Sequence, residues 1–279
     1  MKILNCIIQF IQSIFGKQSN NEIDTNVEAS DNQIVVDSGF ESNVDDVQTE
    51  SNQQDIDDRK PQIQRYDEEF KNFLVLIDNG HGINTSGKGS PYSLVGVKPE
   101  LPYKEYEWAR EIAVMIESEL VKRGIKCERI VPEETDISLS ERVRRVNTKC
   151  QLHGAQNTIL ISIHSNAAGG GSKWMTGRGW SAYTSKGKTN GDVLCEYIYK
   201  EAEKNFAGMK IRKDNSDGDS DMEENFYMLK NTKCPAVLSE NFFHDNIEDV
   251  EFITSDIGKA AVVKTHVDGI IEYFKSKLQ

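Results

Sequence analysis

Apolar residues recur in two rhythms along residues 73–277. Short apolar runs, typical of buried strands, occupy residues 73–77, 125–131, 158–163, 180–183, 226–229 and 236–238. Between them, apolar residues recur at helical spacing in residues 108–123, 138–149, 192–205 and 256–277. Strands that alternate with helices predict an α/β fold. We expect a single domain with a mostly parallel mixed sheet covered by helices on both faces.

The first 16 residues have a different pattern. Apolar side chains at helical spacing face Asn and Gln on the opposite side, which predicts an amphipathic helix over residues 1–16. The polar interruptions and the lack of a small-residue cleavage site make it a poor signal peptide. Three roles stay open for it, namely contact with a membrane surface, contact with another protein, and packing on the chain's own domain.

Residues 17–68 carry most of the negative charge. They hold 14 Asp and Glu against 4 Lys and Arg, so they account for −10 of the net charge of −12. Their sparse apolar content predicts an acidic disordered linker, followed by a domain over residues 69–279. That domain is close to neutral and has no large basic block, which argues against nucleic acid as a partner. The sequence does not indicate an oligomeric state.

The five cysteines do not form a metal-binding pattern. No two of them are spaced as a CxxC pair. Zinc sites built on thiolates usually contain such pairs, so we expect reduced thiols in the core instead.

Three polar residues follow predicted strands. His81 comes shortly after the run at 73–77, His164 directly follows 158–163, and Glu240 follows 236–238. Ligands of open α/β sheets bind beyond the carboxyl ends of the strands, where these side chains would converge. Two imidazoles and a carboxylate suit a zinc ion. A structural role for each histidine stays open on the spacing alone.

Four segments around these residues resemble one known family. They are LIDNGHG at 76–82, EYEWAREIA at 105–113, ISIHSNA at 161–167 and PAVLSENFF at 235–243. In this order they are similar to motifs of the zinc-dependent N-acetylmuramoyl-L-alanine amidases of the amidase-3 type. The resemblance extends over residues 73–275.

The resemblance implies a role for each matching residue. His81, Glu105 and His164 would bind Zn²⁺, with Glu107 as the alternative to Glu105 on the same helix. Glu240 would be the general base. The activity implied is hydrolysis of the amide bond between N-acetylmuramic acid and the L-alanine of the peptidoglycan stem peptide, by zinc-activated water.

Two other functions stay open. One is a zinc peptidase or amidohydrolase that acts elsewhere on the stem peptide. The other is a catalytically silent module that binds the cell wall, although a retained base at Glu240 argues against it. With peptidoglycan as the partner, we expect a location in the bacterial cell envelope, periplasmic or secreted, or a phage-encoded enzyme that acts on the host wall.

Two further features yield expectations. The glycine-rich insert at 169–179, flanked by Trp174 and Trp180, is interpreted as a lid over the substrate. The two tryptophans are candidates for stacking on sugar rings, and a core position for one of them stays open. His244 is expected at the surface.

Overall fold

The structure, a computed structural model, describes residues 63–93 and 96–279. The description below concerns the compact unit Ile63–Gln279. The predicted helix over residues 1–16 and nearly all of the predicted linker lie outside the described residues.

Six strands of the described chain form one mixed sheet. They are β1 (Leu74–Asn79), β2 (Lys126–Arg129), β3 (Thr158–Asn166), β4 (Ser181–Thr184), β5 (Met222–Glu223) and β6 (Ala236–Phe243). Their order across the sheet is β2-β1-β3-β6-β4-β5. The first four strands of this order are mutually parallel, and β4 runs antiparallel to β6. This is the mostly parallel mixed sheet that the sequence predicts.

Helices cover both faces of the sheet. They are α1 (Glu105–Lys122), α2 (Leu139–His153), α3 (Asn190–Asn205), α4 (Tyr227–Asn231), α5 (Ile247–Thr254) and α6 (Asp256–Lys277). Residues of α1, α3, α5 and α6 share one apolar core with one face of the sheet, and residues of α2 and α4 share a second core with the other face. No helix among the described residues is long and apolar enough to cross a membrane.

Side-chain alternation along the strands separates the two cores. Val75, Ile161 and Val237 point toward α1, α3 and α6, whereas Leu76 and Leu238 point toward α2 and α4. Strands buried on both faces have continuous apolar runs, which is why the sequence predicts them well. The polar residues that continue these strands therefore lie at the carboxyl edge of the sheet.

One predicted strand is wrong. Residues 226–229 contain the start of the short helix α4, and the strand nearby is β5. The amide of Lys230 donates to the carbonyl of Phe226, which closes the helical turn. A run of four apolar residues does not distinguish a strand from a buried helical turn. In the observed helix, Met228 and Leu229 pack on the α2 side of the sheet.

The packed chain begins slightly before the predicted domain. Tyr66 is buried and stacks on Phe70 with ring centroids 4.7 Å apart, and Phe70 meets Phe274 of α6 edge to face. These contacts lie three residues before the predicted start at residue 69. The remaining division of the chain, into helix, linker and domain, stays a prediction.

Candidate metal centre

Three predicted ligands meet at the carboxyl edge of the sheet. Oε1 of Glu105 lies 3.4 Å from Nε2 of His81 and 3.1 Å from Nδ1 of His164. The ligand atoms of the three residues all lie within 4.8 Å of one another. The two imidazole rings are nearly perpendicular, with centroids 5.0 Å apart. Two nitrogen donors and one carboxylate oxygen therefore point at a common position.

Glu105 occupies the first position of α1, between the two histidines. It is 1% exposed, and its Oε1 also accepts a hydrogen bond from the amide of Ser165 at 3.0 Å. Burial raises the pKa of Glu105, but hydrogen bonds and charge from His164 and His81 outweigh it and hold the pKa well below its usual range. The other carboxylate oxygen, Oε2, is buried without a hydrogen-bond partner.

The other acidic residues of this helix face away. Glu107 accepts hydrogen bonds from Lys104 and Tyr106, and Glu111 pairs with Lys259. Among the three acidic residues of the segment, Glu105 is the one that reaches the histidines.

His81 has an unusual backbone conformation. Its φ of 59° lies in the left-handed region, which a residue with a Cβ atom rarely adopts. Its carbonyl oxygen accepts hydrogen bonds from Nη2 of Arg110 at 3.0 Å and Nη2 of Arg142 at 3.2 Å. Two guanidinium groups thus hold the peptide that follows His81 and direct the ring toward Glu105.

Arg142, which was not predicted from the sequence, donates to the carbonyl oxygens of Asn79 and His81. It is 2% exposed, and it pairs with Oδ1 of Asp78 at 2.6 Å and Oδ1 of Asp136 at 2.9 Å. Asp78 also accepts a hydrogen bond from the hydroxyl of Ser162, so its carboxylate is occupied away from the ring of His81. A sequence signal existed, because Arg142, Val146 and Cys150 recur every four residues on the buried face of α2.

The donor set fits a metal ion. Two imidazoles and one carboxylate are a recurrent set for divalent metals in hydrolases, and three protein ligands leave a coordination position open. The unpartnered Oε2 of buried Glu105 is also consistent with a cation at this point, because a buried carboxylate oxygen rarely lacks a partner.

Glu240 lies beside this centre. It is directly opposite His164 in the register between β3 and β6, so the two side chains lie on the same face of the sheet. Its Oε2 is buried without a partner. Burial raises the pKa of Glu240 to about 7; the charge of Glu105 adds to this effect, and those of His164 and Lys88 oppose it. Both strands continue past these residues, so Glu240 and His164 lie within strands rather than after them.

The glycine-rich insert is tied to the turn after β6. The carboxylate of Asp245 accepts hydrogen bonds from the amides of Ala168 and Gly169, and Asp249 accepts one from Gly179 at 2.7 Å. The amide of Met175 donates to the carbonyl of Asp245. These bonds hold the insert in place, so they argue against the mobile lid that its glycines suggested.

Two residues near the insert, Trp180 and His244, are buried. Trp180 is fully buried in the core and donates through Nε1 to Asn241, so it is not available to stack on a sugar. Trp174 is half-buried and donates to the carbonyl of Pro99. His244 is 1% exposed and stacks on Tyr103, so its predicted surface position is wrong.

Comparison with known proteins identifies the family that shares these features. The family model described as N-acetylmuramoyl-L-alanine amidase matches residues 75–272. The endolysin of Bacillus phage SPP1 is 31% identical over 211 residues, which are 73% of this chain and 67% of the endolysin. The N-acetylmuramoyl-L-alanine amidase CwlM of Bacillus licheniformis is 27% identical over 207 residues, 72% of this chain and 68% of CwlM.

A solved structure has the same fold. The N-acetylmuramoyl-L-alanine amidase from Clostridium difficile 630 superposes with a TM-score of 0.61 at 24% identity. The match covers 74% of this chain and 98% of that one. The described domain therefore corresponds to nearly the whole of that structure.

Proposed function

The chain belongs to the N-acetylmuramoyl-L-alanine amidase family of the amidase-3 type, and we propose that His81, Glu105 and His164 hold its zinc ion while Glu240 acts as the general base. The enzyme is a peptidoglycan hydrolase that cleaves the amide bond between N-acetylmuramic acid and L-alanine. It acts on the cell wall, either outside the cell or as a phage lysin. The observation that carries the residue assignment is the position of Glu105 between two histidines, with Glu240 directly across from one of them.

Zinc suits the proposed ligands because imidazole nitrogen and carboxylate oxygen are among its usual donors. When bound, zinc supplies Lewis-acid polarisation of the scissile carbonyl and of the attacking water. The protein orients the ligands: β3 carries His164, the start of α1 carries Glu105, and the two arginines hold the carbonyl of His81.

Glu240 is proposed to act first as the general base and then as the general acid. Its free Oε2 lies on the same face as His164, where it can take a proton from the attacking water. The same carboxyl group then donates that proton to the nitrogen of L-alanine as the amide bond breaks. A partly desolvated carboxylate suits both roles, because it accepts and releases a proton at nearly equal cost.

The bond that is cut can be identified from the products. Digestion of purified peptidoglycan should release stem peptides that begin with a new L-alanine amino group, with no new reducing sugar. Release of a terminal D-amino acid would instead identify a peptidase, and the absence of any product would favour a silent wall-binding module. Mass spectrometry of the digest distinguishes the three outcomes.

The metal assignment has its own experiment. Elemental analysis after dialysis should find one zinc ion per chain, and substitution of His164 or Glu105 by Ala should greatly reduce it. Glu107→Ala is the matched control, because Glu107 lies on the same helix but bonds Lys104 and Tyr106 instead. Full zinc content in the His164 variant would contradict the assignment.

We further propose that the domain folds without the N-terminal region and that residues 1–16 contact a membrane surface. The support is compositional, since residues 17–62 are poor in apolar side chains and residues 1–16 are amphipathic. A chain that begins at residue 63 should keep a cooperative melt and its metal. Co-sedimentation with liposomes should be lost when residues 1–16 are deleted.

A further inference from the structure

Arg212 is a half-buried arginine that has no anionic partner among the described residues. Its guanidinium lies over the ring of Phe243, 5.3 Å from the centroid. Its Nε is buried and has no hydrogen-bond partner. Within residues 63–93 and 96–279, no carboxylate lies within ion-pair distance of it. By contrast, the buried Arg142 pairs with two carboxylates. Guanidinium groups that are partly removed from water are usually paired with an anion. The missing partner of Arg212 can therefore be a ligand.

The register of the sheet places Arg212 in the row of the catalytic residues. Glu240 lies opposite His164 on one side and opposite Ser181 on the other. Trp180 bridges Ile211 in parallel, and the amide of Arg212 donates to the carbonyl of Trp180. Arg212 is therefore next to Ser181, two strand spacings from Glu240, which is roughly 10 Å between their backbones.

Alternation places the side chain of Arg212 on the catalytic face. Trp180 and Ile211 both belong to the core on the α3 side of the sheet. The residues that follow them, Ser181 and Arg212, consequently point to the opposite face, which is the face of Glu240.

A β-bulge in β6 places the ring of Phe243 under the guanidinium of Arg212. Glu240 pairs with His164 and Phe243 pairs with Asn166, so β6 has one residue more than β3 over this interval. Phe242 accommodates the bulge with a φ of 67°. Without the extra residue, Phe243 would point away from the face of Glu240; with it, the ring lies beneath the guanidinium.

Tyr183 interacts electrostatically with both Glu240 and Arg212. Burial and the charge of Glu240 raise the pKa of Tyr183, and the charge of Arg212 lowers it. It lies on the same face as Ser181, two residues along β4. Tyr183 and Phe243 therefore lie on the face of the sheet that carries the proposed base and the arginine.

The chemistry of peptidoglycan determines which part of the substrate Arg212 can meet. The lactyl carboxyl of N-acetylmuramic acid is consumed in the scissile amide, and the sugars are otherwise uncharged. The anionic groups of the substrate are therefore on the stem peptide. Its second residue is D-glutamate, linked through the γ-carboxyl group, which leaves the α-carboxylate free unless it is amidated. That carboxylate is about 7 Å along an extended chain from the scissile nitrogen.

We propose that Arg212 binds the free α-carboxylate of the second stem-peptide residue and so makes the enzyme selective for stem peptides that are not amidated there. This inference builds on the proposed function, because it takes the scissile bond to lie beside Glu240. Arginine fits the task, since its fork of donors matches a carboxylate in a bidentate geometry. A carboxamide in that place is uncharged, and its NH₂ group would face an N–H donor of the guanidinium.

The experiment compares two disaccharide muropeptides that differ only at the second stem residue, D-glutamate or D-isoglutamine. The full-length, zinc-loaded enzyme should have a kcat/KM about 10- to 100-fold higher on the acid than on the amide, as expected for a charge-assisted bidentate contact. Arg212→Gln should bring the ratio close to 1, and Arg212→Lys should give an intermediate ratio. Arg144→Gln is the control, because Arg144 is an exposed arginine of α2 that pairs with Glu141. This control should keep the wild-type ratio.

Two results would overturn the proposal: a wild-type ratio near 1, or an Arg212→Gln variant that slows on both substrates equally and keeps the preference. Binding of the free dipeptides L-Ala-D-Glu and L-Ala-D-isoglutamine, measured by calorimetry, tests Arg212 independently of turnover. If neither muropeptide is cut at the L-alanine amide, the proposed function fails, while the calorimetric preference for the acid still decides the role of Arg212. If Arg212→Gln does not fold, Arg212→Lys supplies both comparisons.

Discussion

Gly80 packs directly against the imidazole of His164. A Cβ atom at residue 80 would lie 2.3 Å from Cε1 and 2.5 Å from Nδ1 of that ring, closer than real Cβ atoms approach other atoms. The glycine is therefore a steric requirement of the metal centre. The peptide at Gly80 is held in place as well, because its amide donates to the carbonyl of Ile163 on β3.

Gly80→Ala should displace His164 and weaken metal binding. We expect a loss of about 10- to 100-fold in zinc affinity, the range usual when a metal ligand is misoriented. Competition with a chromogenic chelator measures it. Gly170→Ala is the control, because a Cβ atom there would meet nothing within 4 Å. Unchanged affinity in the Gly80 variant would mean that the ring of His164 can shift without cost to the site.

Glu240→Gln should separate catalysis from metal binding. The amide keeps the size and shape of the carboxyl group but cannot accept the proton of water, so turnover should fall roughly 10²- to 10⁴-fold. Zinc content should stay at the wild-type value, because Glu240 is proposed as a base and not as a ligand. A variant that loses zinc together with activity would indicate that Glu240 is a ligand.

The sequence predicted the parts of this molecule whose signal is local. Three of the strands, β1, β3 and β6, have continuous apolar runs, so their positions were found within a few residues, and the α/β class followed from the alternation. His81, Glu105 and His164 were predicted to act together because each lies in a motif that resembles the family, and their role as ligands stays a prediction. The structure adds that all three motifs open onto the same edge of the sheet.

The features that the sequence did not predict depend on contacts between distant segments. Arg142 is buried because Asp78 and Asp136 compensate its charge, and neither partner is near it in the helical pattern. His244 is buried because the turn after β6 packs on Tyr103. The residues of the bulge at Phe242 carry no distinctive sequence pattern, although the bulge turns Phe243 toward the cleft.

Removal of one partner from the buried pair of Arg142 and Asp78 should strongly destabilise the domain. Arg142→Met keeps much of the side-chain volume but leaves the carboxylate of Asp78, which is 1% exposed, without its cation. Removal of one partner of a buried ion pair typically costs about 3–5 kcal/mol in the free energy of unfolding. Urea denaturation measures this cost.

A double variant identifies the source of that loss. Asp78→Asn combined with Arg142→Met removes both charges, so it should be less destabilised than Arg142→Met alone. Arg144→Met, on the exposed side of the same helix, should change stability by less than about 0.5 kcal/mol. If the double variant loses as much as the sum of the two single variants, the charges of Asp78 and Arg142 are not coupled.

His266 belongs to a buried hydrogen-bond network that includes Ser239 of β6. Its Nδ1 donates to the carbonyl of Val262 at 2.8 Å, which leaves Nε2, at 2.9 Å from Oγ of Ser239, to accept from that hydroxyl. Ser239 precedes Glu240 on β6. Burial of the ring favours the neutral imidazole, because the charged form would lose its hydration.

The neutral state of His266 should make stability fall in acid. Burial lowers its pKa to about 4 from an ordinary value of 6.5, against a smaller opposite effect of the hydrogen bond to Val262. Between these two values the unfolded chain binds a proton that the folded chain does not, so the free energy of unfolding decreases as the pH falls through this window. From pH 7.5 to pH 5 the wild type should lose about 2 kcal/mol more than His266→Gln, which does not titrate. Urea denaturation of both proteins in EDTA, which removes metal effects on the histidine ligands, measures the difference; parallel pH profiles would show that His266 is protonated in the folded chain.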